Sequence, residues 1–215
     1  MIAAAPAVGR RVRVAGAGRS AAYGEDDGFV VVFTRERPAL PNGVQVASLP
    51  AVGTELVIRA DEVWDPTVRL GDPLPDPESV CAEPDLVRAV ETRDPMLGAR
   101  AGARLIGRGG GLTPEGDDLV AGVAAVIAVG NWPRASRQAW VDALIGGDLR
   151  RRTTALSATL LELAASGMGP EPLQAWLAGD GAARERLEAI GHSTGRAIAR
   201  GAAIALSCNR EVASR

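Results

Sequence analysis

The chain has 215 residues, which suits one large domain or two small ones, and its hydrophobic content of 47% can furnish a sizeable core, so intrinsic disorder is excluded. A formal net charge of −2 with no basic stripe argues against a nucleic-acid partner. All 24 basic residues are Arg, so lysine chemistry is absent and guanidinium is the only permanent cation for an acidic ligand. Cys81 and Cys208 lie far apart with no further Cys or His pattern, which speaks against a zinc site or a disulfide framework. They read as free thiols in a reducing cytoplasm. The N-terminus has no basic region ahead of its apolar residues, and the longest apolar run, residues 119–129, is too short to span a bilayer. The sequence therefore predicts a soluble, cytoplasmic protein with no membrane partner.

Residues 1–75 carry strand signals at 11–14, 29–33, 44–46 and 56–58, separated by Gly-, Pro- and Asn-containing turns. This spacing predicts a β-rich N-terminal domain, a small antiparallel sheet or partial barrel, with Trp64 closing its core or lining a cleft. Residues 65–84 hold five prolines and read as an extended linker. From residue 76 to 215 the pattern is helical. Helices are predicted over 83–93, 96–106, 114–130, from 131 with Trp140 and Leu144 on one face, from an Asp148 cap to 165, and over 170–177, 182–190 and 196–207. The fold class is α+β, a β-rich part followed by an all-α domain.

The most informative stretch is GRGGGLTPEGDDLVAG, residues 107–122. Gly109, Gly110 and Gly111 lack Cβ atoms and allow close backbone approach to a ligand. Thr113 offers an N-cap hydroxyl and Pro114 suits the first helical position. A flexible loop opening onto a helix N-terminus favours an anion, held by amides from Gly109 to Leu112 with the Thr113 hydroxyl. Asp117 and Asp118, one turn in, could address that ligand, a divalent metal such as Mg, or a transferable proton; the alternative is that they only complement the helix dipole. No Lys follows the glycines, so this is not a P-loop, and the dinucleotide glycine spacing is also missing.

Two further polar stations follow. Thr153, Thr154 and Ser157 form a polar group on an Ala/Leu-rich stretch, with Thr153 and Ser157 at i, i+4, preceded by Arg150, Arg151 and Arg152, which could offer a cation or simply form a solvated basic turn. His192, the only histidine, is followed by Ser193 and Thr194 between Gly191 and Gly195, at a second loop-to-helix junction. Its imidazole could move a proton near neutrality, or could serve as a backbone partner beside a Ser/Thr cap. If the two junctions share one cleft, Thr113, Asp117, His192, Ser193 and Thr194 converge there.

The G-x-GLTP-x-GDD-x-x-x-G core within residues 109–122 resembles the signature of a bacterial family of uncharacterised domains, which includes the AllH-type subunit of oxamate carbamoyltransferase from anaerobic allantoin degradation. The Thr153–Ser157–Leu161–Ala164–Gly167 pattern, the GHSTG loop and the LPNGVQV stretch are similar to it in the same order. Arg108, Gly110 and Arg196 depart from the residue types expected at their positions. The resemblance implies a carbamoyl-transfer subunit of purine catabolism, working with other subunits on a small phosphate- or carboxylate-type substrate. Asp117, Asp118 and His192 would then be catalytic, and Gly109, Gly110, Gly111, Leu112, Thr113, Thr153, Ser157, Ser193 and Thr194 would bind substrate. A non-catalytic binding or assembly subunit is the alternative.

Overall fold

The computed structural model describes residues 1–37, 39–72, 75 and 83–213, with side chains to Ser207. Cys81 and the Cys208 side chain lie outside the described residues, as does most of the proline-rich stretch. The chain divides into two compact units, Met1–Pro66 and Thr67–Arg215.

The first unit is a seven-stranded sheet of β1 (Ile2–Ala4), β2 (Arg11–Ala17), β3 (Ala21–Asp26), β4 (Phe29–Thr34), β5 (Gly43–Gln45), β6 (Glu55–Val57) and β7 (Glu62–Trp64). Their spatial order is β6-β2-β3-β4-β5-β1-β7. The continuous apolar run Phe29–Phe33 becomes central β4, buried along its length, as an unalternating run should be. Two pairs run parallel, β4 with β5 and β1 with β7, so the sheet is mixed where antiparallel pairing was expected. Parallel neighbours usually need a long crossover. Here the paired part of β5 is three residues, Val32↔Gly43 to Thr34↔Gln45, and the loop between the strands easily spans that short return. Trp64 is half-buried on edge strand β7, and its indole N–H is enclosed without a partner.

The second unit contains, among the described residues, α1 (Pro84–Thr92), α2 (Pro95–Leu105), α3 (Glu115–Val129), α4 (Arg134–Ile145), α5 (Ala155–Ala165), α6 (Glu171–Leu177), α7 (Ala183–Glu188) and α8 (Thr194–Ala213). The α+β architecture read from the sequence is the one observed. Residues 116–127 of α3 are all buried, so this helix, apolar all round beyond the two acids of its first turn, forms the axis of the unit. Its closest neighbour is α8. A Cβ on Gly122 would lie 2.2 Å from the Ile198 carbonyl oxygen, and one on Gly201 would lie 2.0 Å from that of Leu119. The two backbones touch only because both positions are glycine. Asp118 stands one turn before Gly122, and Thr194 two turns before Gly201.

The α5 region differs from its expected form. Asp148 precedes a 3-10 turn, Leu149–Arg151, and makes no side-chain cap; the cap of α5 stands six residues later, where the Thr154 hydroxyl accepts the Ser157 amide. A Ser/Thr oxygen at the cap satisfies one of the helix's free N–H groups, and Thr154 is placed to do this where Asp148 is not. Thr153 therefore precedes the helix rather than sharing a face with Ser157.

Candidate functional site

The glycine loop joins α2 to α3. Gly109 and Gly111 have φ of +122° and +89°, which side-chain-bearing residues rarely adopt. Among the described residues, the amides of Gly109, Gly110, Gly111, Leu112 and Thr113 donate to no protein acceptor, and neither does that of Glu115, the first of α3. The Gly116 amide is taken by the Arg108 carbonyl at 2.9 Å, and those of Asp117 and Asp118 by the Pro114 carbonyl. Pro114 is the N-cap residue of α3 and has no side chain to cap with. Thr113, expected there, turns its hydroxyl 2.9 Å from that of Thr194 instead. The glycine loop and the GHSTG junction meet at that contact.

The two acids occupy different surroundings. Asp117 is buried, and both oxygens are engaged: Oδ1 accepts the Gly107 amide at 2.6 Å, and Oδ2 accepts the Thr153 hydroxyl. It ties α3 to the turn before the loop and to the segment before α5. Asp118 is 2% exposed, and its Oδ2 has no hydrogen-bond partner. Burial raises its pKa to about 7; hydrogen bonding by Thr194 and Thr113 opposes the rise, and the charges of Asp117 and Glu115 add to it. A buried acid titrating near neutrality at a loop-to-helix junction is the kind of group that concentrates at functional sites.

The remaining expected residues scatter. Ser157 is 1% exposed, with its hydroxyl unpartnered, inside the helical packing. Thr194 is buried and Ser193 half-buried, with the Ser193 carbonyl accepting the Ala197 amide as α8 begins. The His192 side chain is exposed, while its carbonyl accepts from the Arg196 guanidinium. The three consecutive arginines are otherwise occupied: Arg150 pairs with Glu162, Arg151 with Asp148, and Arg152 donates to the carbonyls of Gly102, Ile145 and Gly146. Both Asp117 oxygens already accept hydrogen bonds, and among the described residues no group of three or more His, Cys, Asp or Glu is gathered to hold a metal.

Thr154 and two ion pairs complete the surroundings. The Thr154 hydroxyl donates to the Leu112 carbonyl at 2.6 Å, fastening the loop to α5. Arg200 pairs with Glu115 at 3.0 Å, and Arg108 with Glu83 at 3.4 Å. Thr154 carried a usable signal, a Thr immediately before an apolar run; the two ion pairs carried none, since their partners lie 85 and 25 residues apart.

The site therefore belongs to a class of loop-to-helix junctions with free backbone donors and a buried acid behind them. Residues 105–206, slightly under half of the chain, match the family model for oxamate carbamoyltransferase subunit AllH. The resemblance that the motifs carried is borne out over this segment, which includes the loop, both acids and the GHSTG junction. No curated protein and no solved structure matches the chain. No helix among the described residues is long and apolar enough to cross a membrane.

Proposed function

We propose that this chain is a subunit of a carbamoyl-transfer enzyme that acts on a small anionic substrate together with other protein subunits. In such a transfer a nitrogen nucleophile attacks the carbamoyl carbon, the carbonyl oxygen gains negative charge, the carbon–oxygen bond to phosphate breaks, and the nitrogen loses a proton. Free amides at Gly109 to Thr113 and at Glu115 suit the oxyanion and the departing phosphate, because donors fixed in advance need no reorganisation as charge develops. Asp118 suits the proton. The observation that carries the reading is this carboxyl, 2% exposed and raised to about 7, beside the half-buried Thr113 hydroxyl within the segment that matches the AllH family.

A second reading, a binding or assembly subunit without chemistry of its own, is favoured by the near-complete burial of Asp118 and the exposed position of His192. The purified chain is assayed for carbamoyl transfer between oxamate and phosphate, alone and with the subunits encoded beside it. Transfer by the assembled subunits that falls at least a hundredfold in Asp118→Asn supports the first reading. Undiminished transfer in that variant supports the second.

A further inference from the structure

Asp118, Thr113 and Thr194 make a three-cornered contact behind the glycine loop. The two hydroxyl oxygens are 2.9 Å apart, and each hydroxyl hydrogen-bonds the Asp118 carboxyl. Thr113 belongs to the loop and is half-buried, Thr194 opens α8 and is buried, and Asp118 is 2% exposed. Its Oδ2 is enclosed without a partner, so the acid keeps an unmet need that a proton would fill. The loop that carries Thr113 also carries the free amides of residues 109–113, and that of Glu115 follows. The number of hydrogens decides what Thr113 can offer. With Asp118 ionised, the three contacts share two hydrogens, one from each hydroxyl, and both turn inward, because a buried carboxylate short of a donor bears the cost of its lost hydration. The Thr113 hydroxyl then shows only lone pairs to the loop. With Asp118 protonated, the acid supplies a third hydrogen, and that of Thr113 is released to turn outward as a donor.

We infer that an oxyanion held in the glycine loop binds together with a proton on Asp118, with Thr113 touching the anion and Thr194 as a positioning residue. That coupling rests on the anion-holding loop of the proposed function and adds its regulation. An oxyanion of this kind presents acceptors, so it is repelled by lone pairs with a carboxylate behind them and gains from an outward hydroxyl. Occupancy therefore tightens the hold of Asp118 on its proton, and the proton tightens the hold of the loop on the anion by the same factor. The same coupling serves the proposed transfer, in which negative charge grows at the loop while nitrogen gives up a proton. The charges that act on Asp118 are those of Asp117 and Glu115 on its own helix, and both favour the protonated form. Charged groups on the neighbouring elements are engaged elsewhere. On α8, Arg200 pairs with Glu115 and Arg196 donates to the His192 carbonyl. Arg108 of the loop pairs with Glu83, and Arg104 of α2 with Asp85. Ahead of α5, Arg152 donates to backbone carbonyls, and on α7 Glu188 pairs with Arg184. The exposed imidazole of His192 is a second proton carrier, which the test separates.

The test is titration calorimetry of the full-length chain with sulfate, an oxyanion that does not itself titrate between pH 5 and pH 8. In two buffers of different ionisation heat, binding at pH 7 is expected to take up about half a proton, the ionised share of an acid whose pKa is about 7. At pH 5 it should take up close to none, and affinity should fall about fivefold or more from pH 5 to pH 8. Asp118→Asn, whose amide donates and accepts as the protonated acid does, should bind sulfate without proton uptake and equally at both pH values. Thr113→Val should weaken binding at pH 5 about tenfold, the effect of losing a hydrogen bond to a charged group, and Thr113→Ser should restore it. Thr194→Val should move the fall in affinity to higher pH. Circular dichroism verifies the fold of each variant, and the parent measurement needs none of them. Sulfate binding by the parent without proton uptake, equal affinity at pH 5 and pH 8, or uptake that persists in Asp118→Asn, as it would if His192 carried the proton, overturns the coupling and leaves the functional reading in place. Absence of sulfate binding also overturns it, and the transfer assay on the assembled subunits then judges the functional reading separately.

Discussion

Asp117 and Asp118 are neighbours in sequence and point about 100° apart around α3. One meets two donors and becomes a structural tie, while the other meets two hydroxyls and a largely apolar interior. The titration of Asp118 has a definite sign. Its folded pKa, about 7, lies above the ordinary 3.8, so the native state holds the proton more tightly than the unfolded chain. The stabilisation this gives is complete below about pH 4 and is lost as pH rises to about 7. At about 1.36 kcal/mol per pKa unit, the loss is on the order of a few kcal/mol. Asp118→Asn removes the dependence, so urea unfolding should show the variant gaining on the parent between pH 5 and pH 8. A stability difference that does not vary with pH would mean that the carboxyl titrates normally. Thr194→Val should push the Asp118 pKa higher still, because that hydroxyl favours the ionised form; carboxyl-resolved NMR titration reads the shift. The acids were legible in sequence as a pair, since GDD after a capped loop is a local pattern. Their division of roles was not, because it depends on Thr153 and Thr194, which lie 36 and 76 residues away.

The helices show why local pattern reaches only part of the way. Strands with strong apolar runs and helices with breakers at both ends were legible, since propensity and burial agree there. Strand β3, AAYGED, was not: its residues form strands poorly by themselves, and it is fixed by pairing with β2 and β4 on either side. The start of α5 was misplaced because Asp148 and Thr154 are both acceptable caps and only the three-dimensional packing selects one. The α3–α8 crossing was not legible, because the approach of Gly122 to Ile198 joins positions 76 residues apart. Its importance is now testable. Gly201→Ala places a methyl about where the Leu119 carbonyl oxygen sits, 2.0 Å from an ideal Cβ, and backbone has to move. A loss of at least about 1–3 kcal/mol in denaturant unfolding is expected, the usual range for overpacking. In contrast, Gly110→Ala meets nothing within 4 Å and needs no positive φ, so its stability should match the parent. Equal losses at the two positions would contradict the backbone contact.

At the scale of the whole chain, the decisive residues are those just after the first unit. Composition placed residues 65–84 in a linker, because five prolines in twenty residues leave little regular structure to expect. The segment 67–71 is nevertheless held by the helical unit. Thr67 bridges Met168, the Val68 amide donates to the Gly167 carbonyl at 2.8 Å, and the Gly71 amide donates to the Leu177 carbonyl at 2.8 Å. Val68 itself is 1% exposed and belongs to the helical core, which includes no residue before it. Proline content reports what a segment cannot form alone, and it is silent about backbone bonds to a partner about a hundred residues away. A fragment of residues 67–215 should therefore fold with a single cooperative transition. A fragment of 76–215, cut at the boundary the sequence suggests, loses the Val68 side chain and these backbone bonds. Burial of a Val contributes about 1.5–3 kcal/mol, and each lost hydrogen bond about 0.5–1.5 kcal/mol. The shorter fragment should thus unfold at clearly lower urea concentration, with a melting temperature lower by several degrees. Identical unfolding curves for the two fragments would show that 67–71 is a linker after all, and that the core of the helical unit closes without Val68.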